Sequence, residues 1–195
     1  MINRHMTTIE VTPVTVPSNR LGMWLFLASE IMFFATLFTS YIIYRIASPE
    51  WPRGWEVLNV RLGAINTYIL IASSVTMVLA FAKSISRDKM GFVRFQSLTI
   101  LLGFVFLVIK GFEYSAKYSH GITPATSIFY AIYFTITGLH AFHVISGIAI
   151  NSIFLMQSRK MWDLPIFPGR IENAGLFWHF VDIVWIFVFP SLYLI

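Results

Sequence analysis

Not one of the 195 residues is a cysteine. Disulfide bonds, thiolate zinc sites and a thiolate copper centre are therefore excluded, and the redox compartment cannot be read from cysteine usage. Charge is scarce too: Asp, Glu, Lys and Arg make up 12% of the chain, about half their share in a soluble domain. The formal charge of +5 does not point to nucleic acid, because the basic residues sit in short segments between apolar runs and form no continuous patch. Residues 1–20 are polar, contain Pro13 and Pro17, and lack the apolar centre of a cleavable signal peptide, so they are expected to form a tail. No repeat of 20 to 50 residues is apparent, which excludes solenoids and propellers. What remains is apolar mass, 57% of the residues with a mean hydropathy of +0.72. That is the composition of a membrane protein.

Five segments are long and apolar enough to cross a hydrocarbon core of roughly 30 Å at about 1.5 Å per residue. They fall at residues 21–46, 62–82, 95–114, 125–157 and 174–195. The expected fold is an all-α integral membrane bundle, with a tail over 1–20 and one five-helix domain over 21–195. The intervening segments read as loops: 48–61 with Pro49, Pro52, Trp51 and Trp55, the basic 83–94, and 158–173 with Arg159, Lys160 and Arg170. In the second segment Gly63, Asn66, Ser73, Thr76 and Ala80 recur at near-helical spacing, a pattern that lets a neighbouring helix approach closely. Five spans put the termini on opposite sides of the membrane. Nine of the fourteen Lys and Arg residues then share the side of residue 1, and Arg45, Arg53, Arg61, Lys110 and Lys117 take the other. The positive-inside rule makes the N-terminus cytoplasmic and the C-terminus external.

The residues that carry chemistry are those that are costly inside these spans. An ionisable group near mid-bilayer costs on the order of 3 kcal/mol on insertion scales, so it normally faces other helices. Residues 176–186 read LFWHFVDIVWI. There His179 and Asp182 are three apart and share a face flanked by Trp178 and Trp185, with Ile183, Phe187 and Val188 turned elsewhere. His140, His143, Gly147 and Asn151 draw a stripe along the fourth span. Glu30 is the sole acid of the first span, and counting helical rise puts it level with Asp182 and a few ångströms below His143, so a Glu30–histidine contact is expected. Lys110 and Glu113, an i, i+3 pair, are expected to meet near the interface, with Lys110 snorkelling to water. The ligand types would suit a metal or haem, but neither a Glu-x-x-His nor a His-Glu-x-x-His pattern is present. The favoured reading of Glu30, His140, His143, His179 and Asp182 is a structural polar network, with a proton-handling role for Glu30 as the sharper one. Arg20 and Arg159 are candidates for lipid headgroup contacts.

Several of these residues lie in recognisable strings. They are Arg20-Leu-Gly-Met, Ser29-Glu30 and Phe33-Phe34; Asn66-Thr67 and Ala72-Ser73; Glu113-Tyr114; Thr137-Gly-Leu-His-Ala-Phe-His-Val144 with Gly147; and Trp178-His-Phe-Val-Asp-Ile-Val-Trp185. At these residues the chain resembles subunit III of the haem-copper respiratory oxidases, the cytochrome c and quinol oxidase family, across all five spans. The resemblance is to the five-helix bacterial form; the seven-helix form has two further N-terminal helices that enclose a lipid cleft. It implies an integral subunit without redox centres in a multi-pass position in the bacterial inner membrane. Such a subunit packs on catalytic subunit I near a proton-uptake entrance, with subunit II alongside, and holds phospholipid. It implies no cofactor in this chain, haem and copper in the partner subunits, and a complex that reduces O2 and pumps protons. The chain does not fit the catalytic subunit, which needs six histidine ligands; only five histidines exist, with His5 in the tail and His120 in a loop. Within the family it resembles, aspartate at the position of Glu30 goes with quinol oxidases, so the resemblance with glutamate there implies cytochrome c as electron donor. A quinol oxidase subunit and an accessory subunit of a nitric oxide reductase stay open. A stand-alone proton channel fits poorly, since neither an inverted repeat nor a broken helix is evident.

Overall fold

A computed structural model describes residues 18–195 of the chain, with side chains from Arg20 onward. The order is α1 (Ser18–Ala47), α2 (Gly54–Val57), α3 (Val60–Ile85), α4 (Lys89–Ser119), α5 (Ile128–Met161) and α6 (Phe167–Phe189), closed by a π-helical turn, Pro190–Leu194. Among the described residues there is no strand, and five helices are long and apolar enough to span a membrane. The tail over 1–17, with Arg4 and His5, lies outside the described residues.

Most helix ends overrun the apolar segments that announce them; the start of α5 does not, since Ser127 caps a helix that begins at Ile128, three residues inside the segment 125–157. The basic stretch 83–94 shrinks to a turn of Ser86–Asp88, and the expected loop 158–173 to five residues, because Lys83, Arg94, Arg159, Lys160 and Arg170 all stay helical at the bundle ends. Long basic side chains allow this by carrying their charge outward while the backbone keeps its hydrogen bonds. Caps set the starts: Asn59, Asp88 and Ser127 each accept from a backbone N–H three residues on. Between α3 and α4, Arg87 takes a left-handed conformation (φ 58°) and donates to the Trp162 carbonyl. That bond ties the α3–α4 turn to the α5–α6 turn at what is here termed the basic rim. Arg20 bridges α1 to α6 at the same rim, 2.6 Å from Glu172. Asp88 lies outside the spans, and its carboxyl is held below the ordinary range by the Gly91 N–H and then by Lys83 at 2.9 Å.

At the opposite rim the short α2 fills part of the expected loop. Gly54 lets it rest on the Leu192 carbonyl, where any Cβ would overlap backbone. Tyr41 donates to the Ser191 carbonyl, so α1 and α2 both grip the π-helical turn.

The core is built around α6. Half of its most apolar window is buried inside the protein, against 11% for α1. Trp178 lies in a slot cut by two glycines: a Cβ at Gly103 of α4 or at Gly147 of α5 would sit 2.6 Å from its ring. The indole N–H donates to Ser73 of α3 at 3.1 Å, so one side chain registers four helices. Trp185 repeats the device a helical repeat later, donating to Thr67 at 3.0 Å. The small and polar stripe of α3, Gly63 to Ala80, is buried along its length, as close packing requires.

Candidate functional site

The polar residues named from sequence lie at three places. Glu30 and His143 meet, with Nε2 and Oε2 3.0 Å apart, and link α1 to α5. His143 Nδ1 faces the Leu139 carbonyl at 2.8 Å. A carbonyl only accepts, so Nδ1 carries a hydrogen. The contact on the other ring nitrogen then needs one proton between imidazole and carboxylate. Whichever holds it, the pair is neutral overall, which suits a half-buried position. The apolar rings of Phe34 and Phe177 pack against His143.

His140 does not join them. It is wholly buried between Phe106 and Trp185, with ring centroids 5.6 and 5.0 Å away, and neither ring nitrogen has a hydrogen-bond partner. The stripe on α5 therefore splits. His140, Gly147 and Asn151 repeat at 7 and 11 residues and face the core, whereas i+3 is about 60° round the helix, enough to point His143 at α1. Asn151 accepts from Gln96 Nε2 at 2.7 Å, locking α5 to α4.

His179 and Asp182 form the third place, on the α3–α6 seam. His179 Nδ1 is 2.6 Å from Ser74 Oγ. Asp182 is 5% exposed, and neither carboxylate oxygen has a hydrogen-bond partner. Val188, expected to turn outward, is buried, because it continues the inward row of Trp178, Val181 and Trp185. Among the described residues no three His, Asp or Glu side chains gather as a metal site would require.

The most elaborate polar cluster was not among those candidates. Lys110 and Glu113 do pair, at 2.9 Å, but Lys110 does not snorkel. It is 4% exposed, because α4 continues to Ser119 and the π-helical turn closes over it. Its Nζ donates to Tyr193 at 2.5 Å and lies 4.8 Å from the Trp185 ring centroid, within cation–π range. Tyr133 and Tyr193 donate to Glu113 Oε1 at 2.8 and 2.7 Å. An ion pair this deep holds only when its remaining lone pairs and protons are satisfied, and three elements supply the partners. A charged i, i+3 pair inside an apolar run was the signal available; the two tyrosines, 20 and 80 residues away, were not.

Two apolar grooves flank α1. One, of about 400 Å³, lies against α6 between Trp24, Phe38, Phe180 and Phe187. The other, of about 460 Å³, has Glu30 and His143 in its wall and Arg170 at the basic rim. Arg159 is exposed beside Lys89 in a groove of about 750 Å³ between α4 and α5 at the same rim.

The sequence model of "Cytochrome c oxidase subunit III" matches residues 6–195. Cytochrome c oxidase subunit 3 of Corynebacterium diphtheriae is 38% identical over 177 residues, covering 89% of this chain and 86% of that protein. Cytochrome bo(3) ubiquinol oxidase subunit 3 of Pseudomonas putida is 31% identical over 175 residues, covering 90% of this chain and 84% of that protein. Quinol oxidase subunit 3 of Bacillus subtilis is 33% identical over 176 residues, covering 90% and 86%.

Proposed function

The chain belongs to the cytochrome c oxidase subunit III family, and we propose that it serves as the non-redox accessory subunit of a proton-pumping haem-copper terminal oxidase in a bacterial inner membrane. In this reading it packs beside catalytic subunit I, with subunit II and other subunits in the complex. It steadies the proton-uptake region from the cytoplasmic side, which the basic rim faces. Haem and copper belong to the partners and none to this chain.

The observation that carries the reading is where the intramembrane polar groups are used. Each hydrogen-bonded set joins helices: Glu30–His143 joins α1 to α5, Ser74–His179 joins α3 to α6, and Lys110–Glu113 joins α4 to Tyr133 of α5 and Tyr193 of the π-helical turn. That is a scaffold's use of polarity. Phospholipid fits the groove beside Glu30, with acyl chains along Phe26 and Phe154 and Arg170 at headgroup level. Arg20, although paired with Glu172, and Arg159 offer further headgroup contacts at the same rim. Cytochrome c is the proposed electron donor. A quinol is the second reading, favoured by the Pseudomonas and Bacillus relatives, which are named quinol oxidase subunits.

Purifying the complex through a tag on this chain tests the proposal. The expected preparation contains a haem- and copper-bearing subunit, reduces O2, and retains phospholipid in native mass spectra. Recovery of the chain without a haem protein, or with stoichiometric metal bound to the chain itself, contradicts the proposal. The haem types and the presence of a cytochrome c-binding subunit decide between the two donors.

A further inference from the structure

Three acids lie well inside the described spans, and the chain furnishes donors for two of them. Glu113 receives Lys110, Tyr133 and Tyr193, and Glu30 meets His143. Asp182 is the exception: 5% exposed, with both carboxylate oxygens unpartnered. It lines a cavity of about 340 Å³ on the α3–α6 seam whose other polar side chains, Ser74 and His179, are bonded to each other. One hydroxyl cannot fill the roughly four acceptor sites of a carboxylate. Counted from Phe167 and from Leu194, Asp182 is about 22 and about 18 Å from the helix ends at 1.5 Å per residue. Lipid headgroups do not reach that depth and acyl chains carry no donor.

The apolar surface around it has its own composition. Ile71, Val75 and Val78 of α3 and Ile183 and Ile186 of α6 are exposed, all β-branched, whereas the outward face of α1 mixes Ile31, Ile42 and Ile43 with Trp24, Phe26, Met32 and Phe33. β-Branched side chains are already restricted at χ1 and lose little freedom when a helix packs on them. We propose that the α3–α6 seam is the docking surface for a transmembrane helix of a partner subunit, which places a hydrogen-bond donor side chain (hydroxyl, amide or protonated base) against the Asp182 carboxylate at mid-membrane. The assignment rests on the subunit reading above and adds to it the face and the contact. A second copy of this chain is the wrong occupant, since two-fold pairing brings carboxylate to carboxylate.

Photo-crosslinking in the intact complex tests the surface. p-Benzoylphenylalanine at Val75 or Ile183 should capture a partner subunit at least tenfold more efficiently than at Leu101, on the exposed flank of α4. In parallel, Asp182→Leu should lower retention of this chain on the complex at least tenfold. The melting temperature of the full chain alone should stay nearly unchanged, because the one internal contact at stake is with the Ser74 hydroxyl, which is already bonded to His179. Asp182→Asn, whose amide oxygen still accepts, should restore most of the retention. Lipid-only adducts at Val75 and Ile183 in an intact complex overturn the docking surface and leave the subunit assignment standing, as do adducts to a second copy. Equal loss of folding and retention in Asp182→Leu makes the residue structural and overturns the contact. If the chain does not co-purify with an oxidase at all, the subunit reading itself fails, and the docking surface with it.

Discussion

Glu113 and Asp182 are both carboxylates under 10% exposed inside the same bundle, yet one is surrounded by donors and the other has only the Ser74 hydroxyl near it. Around Glu113 the chain gathers an ammonium and two phenols from three elements; beside Asp182 it places isoleucine and valine, with Ser74 and His179 bonded to each other. The difference separates two uses of an intramembrane acid. A carboxylate whose partners come from its own chain contributes to the fold, whereas one left bare at the membrane-facing seam reserves its bonding for something outside. The two should respond oppositely to deletion.

The largest expected effect is at the satisfied acid. Glu113→Leu leaves the Lys110 ammonium buried without its counter-charge and should destabilise the chain by about 3–5 kcal/mol. Thermal unfolding in detergent should show it, and a change no larger than that of Asp182→Leu would erase the contrast. Tyr193→Phe is a smaller perturbation of the same cluster. It removes the hydroxyl between Lys110 and Glu113 but keeps the ring on Trp185, for an expected loss of about 1.5–3 kcal/mol. A neutral result would mean that Tyr133 alone suffices for Glu113.

The smallest effect is expected at Asp88, a solvent-facing acid that serves as the reference for both. Its folded pKa lies below the ordinary 3.8, so its stabilisation is fully present above that value. It is lost as pH falls through the lower folded value. Asp88→Asn should therefore flatten the acid limb of the stability profile below about pH 4 and lower neutral-pH stability by the same small amount, since asparagine keeps the cap to the Gly91 N–H but not the attraction to Lys83. A variant that kept the wild-type acid limb would remove Asp88 from the account.

The satisfied sites were only partly legible in the sequence. The five spans, the buried stripe of α3 and the Glu30–His143 contact all follow from hydropathy, periodicity and counting rise along a helix, because each is set by local geometry or by depth. The caging of Lys110 is not local. It depends on Tyr193 turning inward at a π-helical turn after Pro190, which has no N–H to continue the α-helical ladder, and helical periodicity does not announce that turn. His140 and His143 looked like one ligand pair, yet a 60° offset sends them to different neighbours. The Trp178 slot is legible in sequence only in halves: Gly147 belongs to the stripe along α5, but its counterpart Gly103 sits on another helix and only the packed structure pairs them.

The scaffold account meets its most direct test at Glu30, the acid that helical rise and the packed geometry both place beside a histidine. In a fully assembled complex carrying Glu30→Gln, O2 consumption should begin at near the wild-type rate, since glutamine keeps the hydrogen-bonding shape and the proposed function puts the reaction in another subunit. Loss of the neutral Glu30–His143 pair should then show as faster inactivation during turnover. Glu30→Leu should inactivate faster still, with the histidine left unpartnered at a cost of about 1–3 kcal/mol. Immediate arrest of O2 consumption in assembled Glu30→Gln oxidase would contradict the account, because Glu30 would then lie on an obligatory proton path.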